Sequence, residues 1–292
     1  MRTRTTGLLT AALLTAAPLA GMALPASAAS CTAPTVVATT ASPRSVALAA
    51  GGTASLTVSV SVRAGGCTLL GTGARLVLPD KQTLEATLAA TSTAGDVTSY
   101  TGTVPLSADD LANAQAGSWK VRTSTAWAAD APAPGGTATA THLQGDDDGD
   151  DDGDDDDQGT GEDEGEEAGS QLVEGEAKVA VLRASQVTSD VTSSALTRHN
   201  RIKKGKAVTV RGVLSRADWE KGGLAGYAKQ RVELQFRTPE GAYRKVRAVK
   251  TGSGGAFAES VKVSKDGCYR VVFTGDATTG ADPSTGECVD VH

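Results

Sequence analysis

Apolar and polar residues alternate with a period of two along most of this chain, which predicts strands rather than helices. From Thr53 to Val62, Leu56, Val58 and Val60 alternate with Ser55, Thr57, Ser59 and Ser61. Further on, Val232, Leu234 and Phe236 alternate with Arg231, Glu233, Gln235 and Arg237, and Tyr269, Val271 and Phe273 share one face. The same reading places strands over 35–40, 45–49, 74–78, 83–88, 97–104, 118–126 and 137–143, then over 176–183, 206–214, 243–250, 257–263 and 287–291. Turn residues punctuate them at Pro43, Gly65-Gly66, Pro239-Glu240-Gly241, Gly252 to Gly255 and Asp266-Gly267. One stretch, 107–115, reads as a short helix, with Ser107 as N-cap and Asp109 and Asp110 in its first turn. Short strands recurring with turns between them predict antiparallel sandwiches.

The alternation stops at an acidic run. Between Asp146 and Glu167 lie fifteen carboxylates, with no Lys, Arg or His. Such a segment has too little apolar surface to offset chain entropy, and its charges repel, so a disordered acidic linker is expected. The chain then divides into a signal peptide over 1–28, a β-sandwich domain over 29–143, the linker over 144–171 and a second β-sandwich domain over 172–292. The expected fold class is all-β, two antiparallel sandwiches joined by that linker.

Export is the expectation at the N-terminus. Arg2 and Arg4 precede an Ala/Leu/Thr-rich stretch from Leu8 to Leu24, and Ala26-Ser27-Ala28 supplies small residues for cleavage. No transmembrane segment is expected in the mature chain, and a secreted, extracellular location follows. Four cysteines in an exported chain point to two disulfides, for which three connectivities exist. Pairing within each half, Cys31 with Cys67 and Cys268 with Cys288, is the most economical. Ala28-Ala29-Ser30-Cys31 also approximates a lipidation box, and lipidation of Cys31 would leave Cys67 unpaired.

The net charge of −6 averages unlike parts. Residues 29–143 hold 6 basic and 6 acidic groups, whereas 172–292 hold 20 basic and 13 acidic. Lys203, Lys204 and Lys206 cluster before one strand of the second half, and Arg244, Lys245 and Arg247 cluster on another. A cell-envelope anionic polymer or polysaccharide is the partner class such faces attract. The acidic run is a nearer polyanion and is expected to screen them, which disfavours nucleic acid. Outward basic residues also discourage strand edges from pairing.

In the second half, Lys204-Gly205-Lys206-Ala207-Val208-Thr209-Val210-Arg211-Gly212-Val213-Leu214, then Gln230 to Arg237, Asp266-Gly267-Cys268-Tyr269-Arg270 and Phe273-Thr274-Gly275-Asp276 follow in order. This stretch, Ile202 to Val291, resembles the immunoglobulin-like repeats of secreted bacterial proteins, especially those of high-GC Gram-positive bacteria. The first half resembles them more weakly, through Gly117-Ser118-Trp119-Lys120-Val121. The resemblance implies immunoglobulin-like sandwiches acting as accessory or adhesive modules, and it carries over no catalytic residues.

Two chemistries remain to be weighed. Asp148, Asp150, Asp152 and Asp156, with Gly153, fit an oxygen-rich calcium loop, although an Asp/Gly tract makes such a match easily and Gly159 stands where the loop's closing Glu belongs. Trp219 and Tyr227 lie in a Gly-rich loop from which aromatic rings can stack on sugars, the ordinary alternative being that they plug a core. There is no H-E-x-x-H, no G-x-S-x-G and no phosphate loop, so no catalysis and no cofactor are expected. The expected function is a noncatalytic secreted binding or structural module, with a calcium-binding secreted protein as the alternative.

Overall fold

The computed structural model describes residues 31–129, 171–197 and 199–292. The expected signal peptide 1–28, the expected strand 137–143 and the acidic residues Asp146 to Glu167 lie outside the described residues.

The first sandwich is built from nine strands. In chain order they are β1 (Thr35–Ser42), β2 (Ser45–Leu48), β3 (Thr53–Arg63), β4 (Thr68–Val77), β5 (Thr83–Thr87), β6 (Ala89–Ala94), β7 (Val97–Ser107), β8 (Gly117–Ala128) and β9 (Gln171–Arg183). One sheet has the order β1-β3-β7-β6, the other β2-β9-β8-β4-β5. The period-two pattern decides which faces meet: Leu56, Val58, Val60 and Val62 of β3 are fully buried against Leu76, Trp119, Val121, Val179 and Val181 of the facing sheet. Trp119 places its ring in that core and donates from Nε1 to the Gln115 carbonyl at 2.7 Å. In place of the expected helix, two single 3₁₀ turns occupy Ala108–Asp110 and Asn113–Gln115, and Ser107 still caps the first by accepting from the Asp109 N–H.

The second sandwich contains β10 (Ser185–Thr192), β11 (Arg201–Ile202), β12 (Ala207–Asp218), β13 (Gly223–Gly226), β14 (Arg231–Arg237), β15 (Arg244–Lys250), β16 (Ala256–Lys262), β17 (Gly267–Phe273), β18 (Asp282–Pro283) and β19 (Glu287–Val291). β12 pairs with β10 along one edge and with β16 and β13 along the other. The facing sheet runs β11-β19-β17-β14-β15. Val208, Val210 and Leu214 of the first sheet close on Val232, Leu234, Tyr269, Val271 and Phe273 of the second. Both halves are therefore all-β, two-sheet antiparallel sandwiches of immunoglobulin-like order. Each is stapled once, by Cys31–Cys67 and by Cys268–Cys288, the latter between the neighbouring strands β17 and β19.

One glycine sets a close approach. A Cβ on Gly212 in β12 would lie 1.9 Å from the Thr188 carbonyl oxygen and 2.7 Å from the Phe257 ring. Gly212→Ala is expected to lower stability by about 1–3 kcal/mol through overpacking, read from urea unfolding.

The structure corrects the expected boundary between the halves. The expected strand 176–183, placed with the second sandwich, is part of β9, which pairs antiparallel with β8 from Gly117↔Val181 to Trp127↔Gln171 and parallel with β2 on its other side. Its alternating Val179 and Val181 complete the first core. The acidic run thus leaves and re-enters one sheet, as the connection of a hairpin, and does not lie between the two sandwiches.

Candidate functional site

What joins the sandwiches is a short strand exit and a tryptophan. After Arg183, Ala184 donates to the Leu48 carbonyl at 2.8 Å, and one residue later β10 begins. Trp219, in the turn between β12 and β13, is 3 % exposed and packs with Ala217 into the first sandwich's core. Its Nε1 donates to the same Leu48 oxygen at 3.1 Å, and its backbone N–H donates to Asn113 Oδ1 at 3.0 Å. Asn113 answers with Nδ2 to Asp218 Oδ1 at 2.8 Å and its own N–H to Glu220 at 3.1 Å. Buried Arg183 crosses the junction with an Nε–H donated to the Ala217 carbonyl.

Trp219 and Tyr227 are accordingly not ligand platforms, a correction to the sugar-stacking reading. Trp219 has no face open to solvent. Tyr227 is covered by the Arg216 guanidinium 3.9 Å above its ring and by the Phe273 edge at 5.9 Å, while its hydroxyl donates to Asp276. Both residues hold loops in place.

At the junction, the hydrogen bond from Asn113, aided by the Lys221 N–H and charge, holds the Asp218 carboxyl below its ordinary value of 3.8. A depressed folded-state pKa contributes stability above the unfolded value and loses it as pH falls through the folded one. The stability difference between wild type and Asp218→Asn is therefore expected to be full above about pH 4 and to shrink on further acidification, as followed by urea midpoints across pH.

The predicted basic residues have different fates. Lys245 donates to Glu233, and Arg247 reaches across to Glu259 on the other sheet, so both charges are paired. The Lys245 bond holds the Glu233 carboxyl below the usual range. Lys203, Lys204 and Lys206 are exposed in the turn before β12, at the end of the second sandwich remote from Trp219, and make no ion pair among the described residues. Arg244 is exposed at the start of β15, opposite Phe236.

Arg244 and Lys245 meet a group that the sequence did not single out as a site. On the outer face of β14, β15 and β17, Tyr243 has the Arg270 guanidinium 3.9 Å from its ring centre and that of Arg237 at 5.2 Å. Cross-strand register explains the assembly: Gln235 stands opposite both Arg270 and Lys245, and Arg270 Nε donates to Gln235 Oε1 at 3.0 Å. Arg237 stands one outward position along, opposite Cys268. Beside it opens a cleft of about 340 Å³ lined by Arg237, Thr238, Gly241, Arg244 and Lys245 together with the apolar Phe236, Ala242 and Val246. Arg237 Nε is, among the described residues, the one buried side-chain nitrogen or oxygen without a hydrogen-bond partner. Beyond Glu233, which stands on the same face and pairs with Lys245, Arg231 and Lys250 lie directly opposite each other. Guanidinium forks match carboxylate and phosphate oxygens, so two arginines braced on one tyrosine are an arrangement able to pair with an oxyanion.

Asp148, Asp150, Asp152 and Asp156 lie outside the described residues. Among the described residues, no group of three or more His, Cys, Asp or Glu side chains converges on a common point, and no helix is long and apolar enough to cross a membrane.

Fold and face together define a two-sandwich, immunoglobulin-like β-protein with a basic, aromatic-braced sheet surface. No protein-family model matches the sequence, and no curated protein does. Solved structures align over long stretches at low identity. The D0-D1 domain of intimin is 14% identical, with 87% of this chain and 98% of that chain covered and a TM-score of 0.25. Murine CEACAM1b is 10% identical, with 89% and 100% covered and a TM-score of 0.33. A DUF4785 family protein from Legionella pneumophila is 14% identical over 80% of this chain, which spans 51% of that protein, at a TM-score of 0.33.

Proposed function

We propose that this chain is a noncatalytic, exported binding module that holds an anionic polymer of the cell envelope on the outer face of β14, β15 and β17. The observation that carries this reading is the Arg237–Tyr243–Arg270 stack beside a cleft bordered by Arg244 and Lys245. The remaining elements fit a binder: two disulfides suit an oxidising exterior, and the residues around the stack offer cations and an aromatic ring rather than a nucleophile and base. The immunoglobulin-like repeat resemblance supports the same class.

Binding of poly(glycerol phosphate) at low salt, followed by calorimetry, tests the reading. Arg237→Glu/Arg270→Glu is expected to weaken it roughly thirtyfold or more, taking about 1 kcal/mol for each cation lost near an anionic surface. Equal binding by this variant defeats the assignment. The alternative, a calcium-binding secreted protein, rests on the spacing of Asp148, Asp150, Asp152 and Asp156. Saturable, stoichiometric heat on calcium titration is the result that favours it.

A further inference from the structure

We propose that the same basic face also takes a second occupant: the acidic segment Asp146 to Glu167 of another copy of this chain, giving head-to-tail association. The inference rests on the reading of that face as an anion-binding surface, and it adds a partner and a form of regulation. Two observations carry it, the charge complementarity of the two partners and the place where the acidic segment is rooted.

The charges are separated along the molecule. Residues 184–292 hold 18 basic and 11 acidic groups, an excess of seven cations, and the acidic segment holds fifteen carboxylates without a cation. On the outer face, Arg231, Arg237, Lys250 and Arg270 make no ion pair among the described residues, and neither does Arg244 at the edge of the cleft. A polyanion brought to that face meets arginine forks already oriented by Tyr243 and Gln235.

The segment is rooted at the end of its own molecule remote from Arg237. Ala128 and Gln171, the last described residues of β8 and β9 before the acidic connection, lie at the end of the first sandwich where Trp127 pairs with Gln171. At the other end of β9, Arg183 meets Thr278 and Gly280 of the second sandwich. From Gln171 to Arg183 the strand path is about 40 Å, and β14 from Arg231 to Arg237 adds about 20 Å. A chain spans at most about 3.6 Å per residue. Asp157 can thus stand no further than about 50 Å from Gln171, and Glu167 no further than about 14 Å. Along the strand path, Asp157 and the five carboxylates after it fall short of Arg237 on their own chain. A neighbouring copy presents all fifteen without that tether. The contact is heterologous, so it repeats head to tail, as a ring where the rotation closes and as an open chain where it does not. An envelope polymer competing for the face would release the copies from one another.

Sedimentation velocity of the full chain at about 20 mM and about 500 mM salt is the test, since screening at the higher salt shortens the reach of charge to a few ångström. The wild type is expected to form concentration-dependent oligomers at low salt and to disperse at high salt. Two variants are expected to be monomeric alone: a deletion of Asp146 to Glu167, and Arg237→Glu/Arg270→Glu. Mixed together they are expected to associate, since each supplies what the other lacks. Association persisting in the deletion variant, a wild type that stays monomeric at low salt, or a mixture that stays dispersed each overturns the inference. Arg237→Gln/Arg270→Gln replaces the reversal should that variant lose its cooperative unfolding. The deletion variant is also titrated with poly(glycerol phosphate). Binding there, alongside a wild type that stays monomeric at low salt, removes this inference alone, whereas absence of binding removes the proposed function as well.

Discussion

A fragment ending at Leu143 is expected not to fold, whereas a fragment ending at Arg183 is expected to unfold cooperatively in urea. The acidic run invites a cut before it, because it looks like the end of a domain. Yet β9 lies beyond the run and fills the place between β8 and β2 in the first sheet. Without it β8 loses a register that extends from Gly117 to Trp127, and β2, which pairs with β9, loses its strand partner. The core also loses Val179 and Val181, buried at 1 % and 0 % exposure, and exposes Val121 and Trp119 behind them. Two valines alone are worth several kcal/mol, of the order of a small domain's whole stability. A complementary result follows for the intact protein. Proteolysis confined to the acidic run should leave two pieces that co-elute and melt as one, because the cut lies in a hairpin connection while its strands stay paired. Cooperative folding of the shorter fragment would show that β9 is dispensable and would restore the run to the role of a spacer between domains.

Alternation made most strands legible in the sequence. Thr53 to Val62, Arg231 to Arg237 and 268–274 appear where expected, to within a residue or so, because each has one buried and one wet face. β6 and β10 escaped. β6 is exposed at every position, so nothing alternates, and β10 is a Ser/Thr-rich strand whose few apolar residues, Val187 and Val191, stand four apart. The membership of β9 was hidden for a different reason. Its pattern announces a strand, but the partner of a strand is a tertiary fact, and forty-two intervening residues obscure a hairpin that a two-residue turn would make obvious.

The candidate site was half legible. Arg244 and Lys245 were marked by their density in sequence, yet Lys245 is spoken for by Glu233 and Arg247 by Glu259, which only the register reveals. Arg237, Tyr243 and Arg270 come from β14, the loop before β15, and β17, so no local window contains them. Their signal was present in part, since Arg237 alternates outward on its strand. Sequence pattern could say that such a residue faces water, but not that an arginine of a neighbouring strand would brace the same tyrosine.

Trp219→Ala is expected to cost about 3–5 kcal/mol and to split one urea transition into two. The indole belongs by sequence to the second sandwich and by burial to the first, packed with Ala217 near Leu48, and its removal opens a cavity between them. Three polar links anchor it, from Nε1 to Leu48, from the backbone N–H to Asn113, and from Asn113 to Asp218. Leu48 O would keep its bond from Ala184, so the loss is dominated by packing rather than by an orphaned acceptor. Trp219→Phe refills part of the space and is expected to cost less, while Asn113→Ala should remove the main hydrogen bond to Asp218 and reduce the acid dependence described above. Because the indole is enclosed, its fluorescence in the native protein should resist quenching by acrylamide and stay unchanged on addition of an envelope polysaccharide. A Trp219→Ala variant with wild-type stability and a single transition would mean that the two sandwiches are coupled elsewhere, through Arg183 and the Thr278–Gly280 loop.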